Sequence, residues 1–330
     1  MRTWITGGFV YRLEKKRMER KDMCMEDGKI AGFFSPDEGN REGKIYDAQG
    51  KYVVPGFVDL HTHGGCGADV NAASKEDFQR IGHFFAGQGT TTWLCSILTD
   101  TEEQTISCIK EAVAHKKESK NCANLLGIHL EGPFLSSKYK GAMPEHLLRK
   151  PDISLLERYQ REAEGNIRYI TVSPEVEGIP QAISQIRKMG ITVAIGHSGA
   201  DYETSWECIK QGAKVCTHTF NAMGLFHQHQ PGLMGAVLES NIYCEAICDG
   251  RHLHPGTVRM LLKVKGYDRV AAVTDSIMAA GLPDGEYKLG VNEVTVENGD
   301  AKLRSTGVRA GSTLTTGQAL KNLIKFTGKG

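Results

Sequence analysis

Short apolar runs and amphipathic segments alternate along most of this 330-residue chain. Eight runs recur at intervals of about 25 to 45 residues, at 57–61, 91–97, 125–130, 167–172, 191–195, 214–219, 242–248 and 269–274. Each is followed by a stretch of helical periodicity, which implies a parallel sheet with crossover helices; eight such units close an α/β TIM (β/α)8 barrel. Helix starts agree. Ser74 with Asp77, and Thr101 with Gln104, have the spacing of capping boxes ahead of the apolar faces Phe78/Ile81/Phe85 and Ile106/Ile109/Val113. Gly190, Gly212 and Gly266 stand where later helices call for left-handed caps. Two regions depart from the pattern. Residues 1–54 carry short polar–apolar alternations broken by Gly28, Gly39 and Gly50, which predicts a few antiparallel strands of a small β-sandwich domain ahead of a barrel over 55–330. A second β excursion is expected at about 285–304, between the last strand and the last helix.

Composition narrows the class without choosing a function. Apolar residues make up 40% and charged residues 24%, which suits a globular protein rather than a disordered or membrane one. No stretch approaches the roughly 20 apolar residues that cross a bilayer, and the N-terminus lacks the apolar core of a signal peptide, so a cytoplasmic protein is expected. A net charge of +1 supplies no field for nucleic acid or an anionic membrane, leaving room only for a local basic pocket. Nine cysteines without a CxxC pair fit free thiols in a reducing compartment.

Candidate chemistry sits at the predicted strand ends. His61 and His63 follow the first run, and side chains two apart on an extended chain share a face, so both imidazoles converge. Glu131 ends the third run, His197 the fifth, His218 the sixth and Asp275 the eighth. In a barrel these ends meet at one mouth, where nitrogen and carboxylate ligands for a divalent ion would gather. Glu131 can serve one ion or bridge two. Asp275 is the natural general base, because a carboxylate beside an ion-activated water can take its proton and later give it to a leaving amine. His129 shares a face with Glu131 one layer deeper and is expected to orient its neighbours. His83 and His115 lie on helical segments and read as structural or solvated. The cluster Gly64-Gly65-Cys66-Gly67 lacks the form of a dinucleotide loop and reads as close backbone approach to a substrate.

These stretches resemble the amidohydrolase superfamily, and within it the N-acetylglucosamine-6-phosphate deacetylase branch. The resemblance rests on 55–64, on His129-Leu130-Glu131-Gly132-Pro133-Phe134, on Gly196-His197-Ser198, on 217–223 with its His218 and Asn221-Ala222-Met223, and on Thr274-Asp275, and it spans essentially the whole chain. It implies deacetylation of N-acetylglucosamine 6-phosphate by water activated on a bound divalent ion, with Asp275 as acid and base. Glu131, His197 and His218 would hold one ion and His61 and His63 a second; zinc is the first choice, with iron, manganese and cobalt as alternatives. The lysine that bridges two ions in other branches is missing from Thr171-Val172-Ser173-Pro174, so the bridging role falls to Glu131. The resemblance places substrate contacts on Ala142, Met143, Asn221, Ala222, His252, Arg309, Ala310 and Gly311, with His252 reaching the phosphate of a neighbouring subunit in a homodimer. Three positions depart from the branch. His229 stands where an arginine usually clamps the phosphate, Met143 replaces a usual polar residue, and Arg309 a usual apolar one. Arg251 or Arg309 is expected to restore the missing charge. The branch also continues past the last barrel helix, so the small β domain is expected to be incomplete at its C-terminal side. Rival readings are a deacetylase of N-acetylgalactosamine 6-phosphate or another N-acyl amino sugar, and a catalytically silent binding or scaffold relative.

Overall fold

The computed structural model describes residues 2–36 and 38–329. By internal contacts the chain falls into two compact units, Met1–Gly56 and Phe57–Gly330. In the first unit, Lys29–Phe34, Asp22–Glu26, Arg2–Thr6 and Lys44–Asp47 form one sheet in that order, and Arg17–Arg20, Phe9–Arg12 and Tyr52–Val53 form another. The pairing is mixed rather than antiparallel throughout. Arg2–Thr6 runs parallel to Lys44–Asp47, and Phe9–Arg12 parallel to Tyr52–Val53. Segments that return from far along the chain cannot pair as tight hairpins, and the period-two alternation of a strand does not record its partner's direction. Trp4, Val10, Met23, Cys24 and Ala48 form the buried apolar side of this unit.

The second unit is built on eight parallel strands. They are β1 (Phe57–Asp59), β2 (Thr90–Leu98), β3 (Asn124–Glu131), β4 (Ile167–Val172), β5 (Thr192–Ile195), β6 (Val215–Cys216), β7 (Tyr243–Ile247) and β8 (Val270–Val273), each bonded to the next in order. The ring closes just beyond the named ends of β1 and β8, where Asp275 N–H donates to His61 O at 2.8 Å and His63 N–H to Ser276 O at 2.7 Å. Buried Asp59 fastens the same seam by accepting from the Thr274 hydroxyl at 2.6 Å. The crossover helices are α1 (Lys75–Gly87), α2 (Glu102–Glu118), α3 (Ile153–Glu162), α4 (Ile179–Lys188), α5 (Tyr202–Gln211), α6 (Gly232–Glu239), α7 (Pro255–Lys265) and α8 (Thr316–Thr327).

Apolar residues occupy both faces of the strands. Trp93, Ile97, Ile128, Ile170 and Val193 pack outward against Phe78, Ile109, Leu156 and Ile183 of the helices, while Leu94, Tyr169, Ala194 and Val215 fill the barrel interior. That is why the runs read as continuously apolar instead of alternating.

Local signals hold at some positions and fail at others. The Ser74–Asp77 capping box forms in both directions. Thr101 caps α2 through Gln104 N–H, but the Gln104 amide turns away to Asn71 O at 2.6 Å, so the box is only half made. Gly212 ends α5 in the left-handed region, whereas Gly266 has positive φ with extended ψ and is no such cap. The sixth strand is two residues long, not the six of run 214–219, because the backbone turns out of β geometry at His218, φ 25°. The strands Gly285–Leu289, Asn292–Glu297 and Asp300–Leu303 make the excursion between β8 and α8. With Met143, Ile277 and Ala310 they bury a small core of their own, including Leu289, Val294, Val296 and Leu303.

Candidate metal centre and substrate cavity

Six predicted side chains from five strand ends converge at the C-terminal rim of the barrel. His61 and His63 leave β1 with their Nε2 atoms 3.2 Å apart. Glu131 closes β3 and stands between the histidines. Its Oε1 lies 3.3 Å from His61 Nε2, 3.2 Å from His197 Nε2 and 3.3 Å from His218 Nε2, and its Oε2 lies 3.2 Å from His63 Nε2. Asp275 Oδ1 is 3.2 Å from His63 Nε2 and 3.6 Å from His61 Nε2. All six are buried, with Asp275 the most accessible at 8%. His197, His218 and Asp275 hold φ of 47°, 25° and 50°, a left-handed region that non-glycine residues seldom occupy. Such strain persists where surrounding contacts over-determine the backbone, and it collects at functional sites.

The charge pattern calls for a cation. Burial opposes charging of His61, yet Glu131, Asp275 and Glu245 outweigh it and hold its pKa well above the usual value. His63 is likewise lifted to about 9, its burial overcome by hydrogen bonds to Asp275 and Glu131. Burial pushes the Glu131 carboxyl up, but His61 and the hydrogen bonds from His197 and His218 bring it well below the carboxylate range. Buried carboxylates thus draw positive charge onto His61 and His63, and the Nε2 atoms of His197 and His218 lie 2.9 Å apart. A divalent ion satisfies the same demand directly. Two groups can hold one, His61 with His63 and Asp275, and Glu131 with His197 and His218, with the ligand atoms of each within 4.8 Å of one another. Imidazole with carboxylate oxygen suits zinc and its first-row neighbours. The residues therefore fit the group.

The far ring nitrogens show how the imidazoles are held. His63 Nδ1 meets Ser96 O at 3.1 Å and His197 Nδ1 meets Tyr139 O at 2.8 Å, while His218 Nδ1 is buried without a hydrogen-bond partner among the described residues. His61 Nδ1 instead meets a carboxylate, Glu245 Oε2, at 3.0 Å. His129 lies beneath the rim between Ser96 Oγ at 2.8 Å and Thr171 Oγ1 at 2.9 Å, with burial pushing its pKa well below the ordinary value.

A cavity of about 560 Å³ opens over this rim. His63, Glu131, His197, His218 and Asp275 form its floor, and Ala142, Met143, Asn221, Ala222, His252, Arg309, Ala310 and Gly311 line its walls. Gly311 is required where it stands. At φ 58° an added Cβ would come within 2.4 Å of Ile277 Cγ2 and 2.9 Å of Asp275 O.

Three expectations need correction. His229 lies on the exposed turn 227–230 against the His227 ring and does not line the cavity, since the short β6 gives way to a loop that runs outward. Arg251 is also absent from the wall, its guanidinium being turned to Asn298 O. His252 lines this chain's own cavity, with Nδ1 held by Asp249. The glycine cluster is likewise no substrate loop. Gly64–Gly65 pairs with Ala68–Asp69 in a tight hairpin, and Cys66 and Gly67 N–H groups bond to Ala280 and Met278 carbonyls.

Sequence reasoning missed Lys138 and Lys140, which line the cavity from the loop after β3. Their signal was a basic pair just ahead of Ala142 and Met143. It also missed Glu245, whose signal was a lone acid inside the apolar run Tyr243-Cys244-Glu245-Ala246-Ile247.

Comparison with known proteins agrees with this geometry. The chain is 35% identical over 312 residues to the N-acetylglucosamine-6-phosphate deacetylase of Lysinibacillus sphaericus, covering 94% of this chain and 80% of that one. The N-acetylgalactosamine-6-phosphate deacetylase of Escherichia coli O157:H7 is 30% identical, with 86% of this chain and 75% of that one covered. Among solved structures, a mutant N-acetyl-D-glucosamine-6-phosphate deacetylase from Mycobacterium smegmatis, in complex with N-acetyl-D-glucosamine-6-phosphate, superposes with a TM-score of 0.91 at 30% identity, over 99% of this chain and 84% of that one. The profile of the Amidohydrolase family matches residues 52–314, and the chain belongs to that family of amide-bond hydrolases.

Proposed function

We propose that this chain hydrolyses the acetamide of N-acetylglucosamine 6-phosphate, releasing acetate and glucosamine 6-phosphate. The observation that carries the reading is a single cavity with carboxylates and imidazoles on its floor and Lys138, Lys140 and Arg309 among its walls. The floor supplies amide hydrolysis and the walls supply cationic groups for a phosphate. The named relatives support the same substrate class.

His61, His63 and Asp275, and Glu131, His197 and His218, are the residues that would hold one or two divalent ions, with zinc as the first candidate. A bound ion supplies Lewis-acid polarisation of the scissile carbonyl and acidifies water towards neutral pH. Asp275, at the cavity floor, takes the proton as the water oxygen bonds to the carbonyl carbon, then passes it to the amino-sugar nitrogen as the C–N bond breaks. Buried Glu131 and the backbone-anchored His63 and His197 hold the floor rigid during these transfers. Lys140, whose ammonium donates to Met143 O at 3.2 Å, and Arg309 anchor the distal phosphate.

We also assign the chain to the cytoplasm, supported by nine free cysteines, and to a homodimer, for which Leu225 and Phe226, 94% and 58% exposed, supply apolar surface. Sedimentation of the purified protein decides the latter. The catalytic reading is tested by acetate release from protein loaded with zinc, iron, manganese or cobalt. N-acetylglucosamine 6-phosphate is expected to turn over fastest, and chelation to abolish turnover. Equal kcat/KM on the unphosphorylated sugar would remove phosphate recognition. Faster turnover of the galactosamine epimer would move the assignment to it, and no acetate with any ion would favour a silent scaffold.

A further inference from the structure

Glu245 is fully buried on β7 and belongs to neither candidate ion triad. Its carboxylate accepts three hydrogen bonds: Oε2 from His61 Nδ1 and from the His218 backbone N–H, each at 3.0 Å, and Oε1 from the Tyr169 hydroxyl at 2.7 Å. A group that only accepts, from three donors, has the bonding pattern of an ionised carboxylate. The hydroxyl it binds is affected in turn, since burial and then the Glu245 charge push the Tyr169 pKa well above the ordinary value.

We propose that Glu245 is the positioning residue that makes the His61 side of the centre a cation site in its own right. By fixing the proton on His61 Nδ1, the carboxylate directs the Nε2 lone pair at the point shared with His63 and Asp275. It also adds a negative charge behind that imidazole. The asymmetry among the four histidines is what assigns this role. His63 and His197 are backed by neutral carbonyls and His218 Nδ1 by no partner among the described residues, so of the four imidazoles His61 is the one with an anion behind its ring, the same oxygen meeting His218 only at the backbone N–H. The role deepens the metal-dependent hydrolase reading and rests on it.

A purely structural account makes a different forecast. Glutamine at this position keeps the two bonds that touch the ligands, its amide oxygen accepting from His61 and His218, while its NH2 meets the Tyr169 hydroxyl with the direction of that bond reversed. The charge is lost, and on the far oxygen the acceptor for the Tyr169 proton with it. E245Q therefore separates the two accounts, and E245D, which keeps the charge but draws it back by one methylene, provides a second variant and a graded rescue. Zinc is titrated into chelator-stripped wild type and variants, with dissociation constants from competition against a chromophoric chelator, metal content by mass spectrometry and fold by circular dichroism. E245Q is expected to raise the dissociation constant of one ion about 10- to 100-fold while leaving any other within about 2-fold, and E245D to fall between E245Q and wild type. Folded variants that take up zinc as wild type does overturn the role of Glu245 and leave the hydrolase reading standing. A wild type that takes up no zinc overturns both.

Discussion

The floor and the walls of the cavity are built in different ways. The floor comes from strand ends: His61, His63, Glu131, His197, His218 and Asp275 are at most 8% exposed, and each stands at or just beyond the end of a barrel strand. The walls come from loops and from the excursion, and their cations Lys138 and Arg309 are exposed at the surface. Chemistry that must be held to a fraction of an ångström is thus tied to the closed barrel, and recognition of the distal group is left to segments free to vary. The contrast predicts that substitutions in the floor strike turnover, whereas substitutions in the walls strike binding.

The largest expected effect is at Asp275. Asparagine preserves size and one acceptor but cannot take a proton, and general acid–base catalysis is worth about 10² to 10⁴ in rate. Asp275→Asn is expected to lower kcat by about that factor while the protein retains its ions at the Glu131 side. Steady-state kinetics with metal analysis checks this. A near-normal kcat would take the proton transfers away from Asp275 and dissolve the distinction drawn for the floor.

How much of this was legible in the sequence follows the same division. Spacing alone gave the barrel and the five strand ends, because a parallel strand buried on both faces is a continuous apolar run and the topology then brings its ends to one rim. It could not say which way the partners of Arg2–Thr6 or Phe9–Arg12 run, since alternation carries no direction. It overextended the sixth strand, because the turn at His218 is enforced by tertiary contacts, including its N–H to Glu245, and not by a local breaker. The loops were less readable still. His229 and Arg251 were named as wall residues but lie off the cavity, and Lys138 and Lys140 were passed over, because the course of a loop depends on what it packs against.

The next effect concerns the walls. A hydrogen bond to a charged group is worth about 1.5 to 3 kcal/mol, or roughly 10- to 100-fold in affinity. Lys140→Met and Arg309→Met are each expected to raise KM for the phosphorylated substrate by up to about that factor, with kcat changed little and the unphosphorylated sugar unaffected. A fall in kcat on both substrates would show that the walls also shape the chemistry.

The smallest effect asks how a surface arginine keeps its place in the wall. The Arg309 guanidinium grips both oxygens of Asp300, Nε to Oδ1 at 2.6 Å and Nη2 to Oδ2 at 3.0 Å, and holds the carboxyl at about 2 against partial burial. A carboxyl whose folded pKa is depressed contributes stability that is complete above its unfolded pKa, 3.8 here, and disappears as pH falls through the folded value. Solvent reaches both partners, so the contribution is discounted to about 1 kcal/mol. Urea unfolding of wild type and D300N should therefore differ by about that much at pH 6, with the gap closing towards pH 2. The same variant frees the Arg309 side chain and should raise KM for the phosphorylated sugar less than Arg309→Met does. Parallel stability curves at every pH would mean that Asp300 does not hold the guanidinium, and the wall would then owe its order to the bound substrate instead of to its own ion pair.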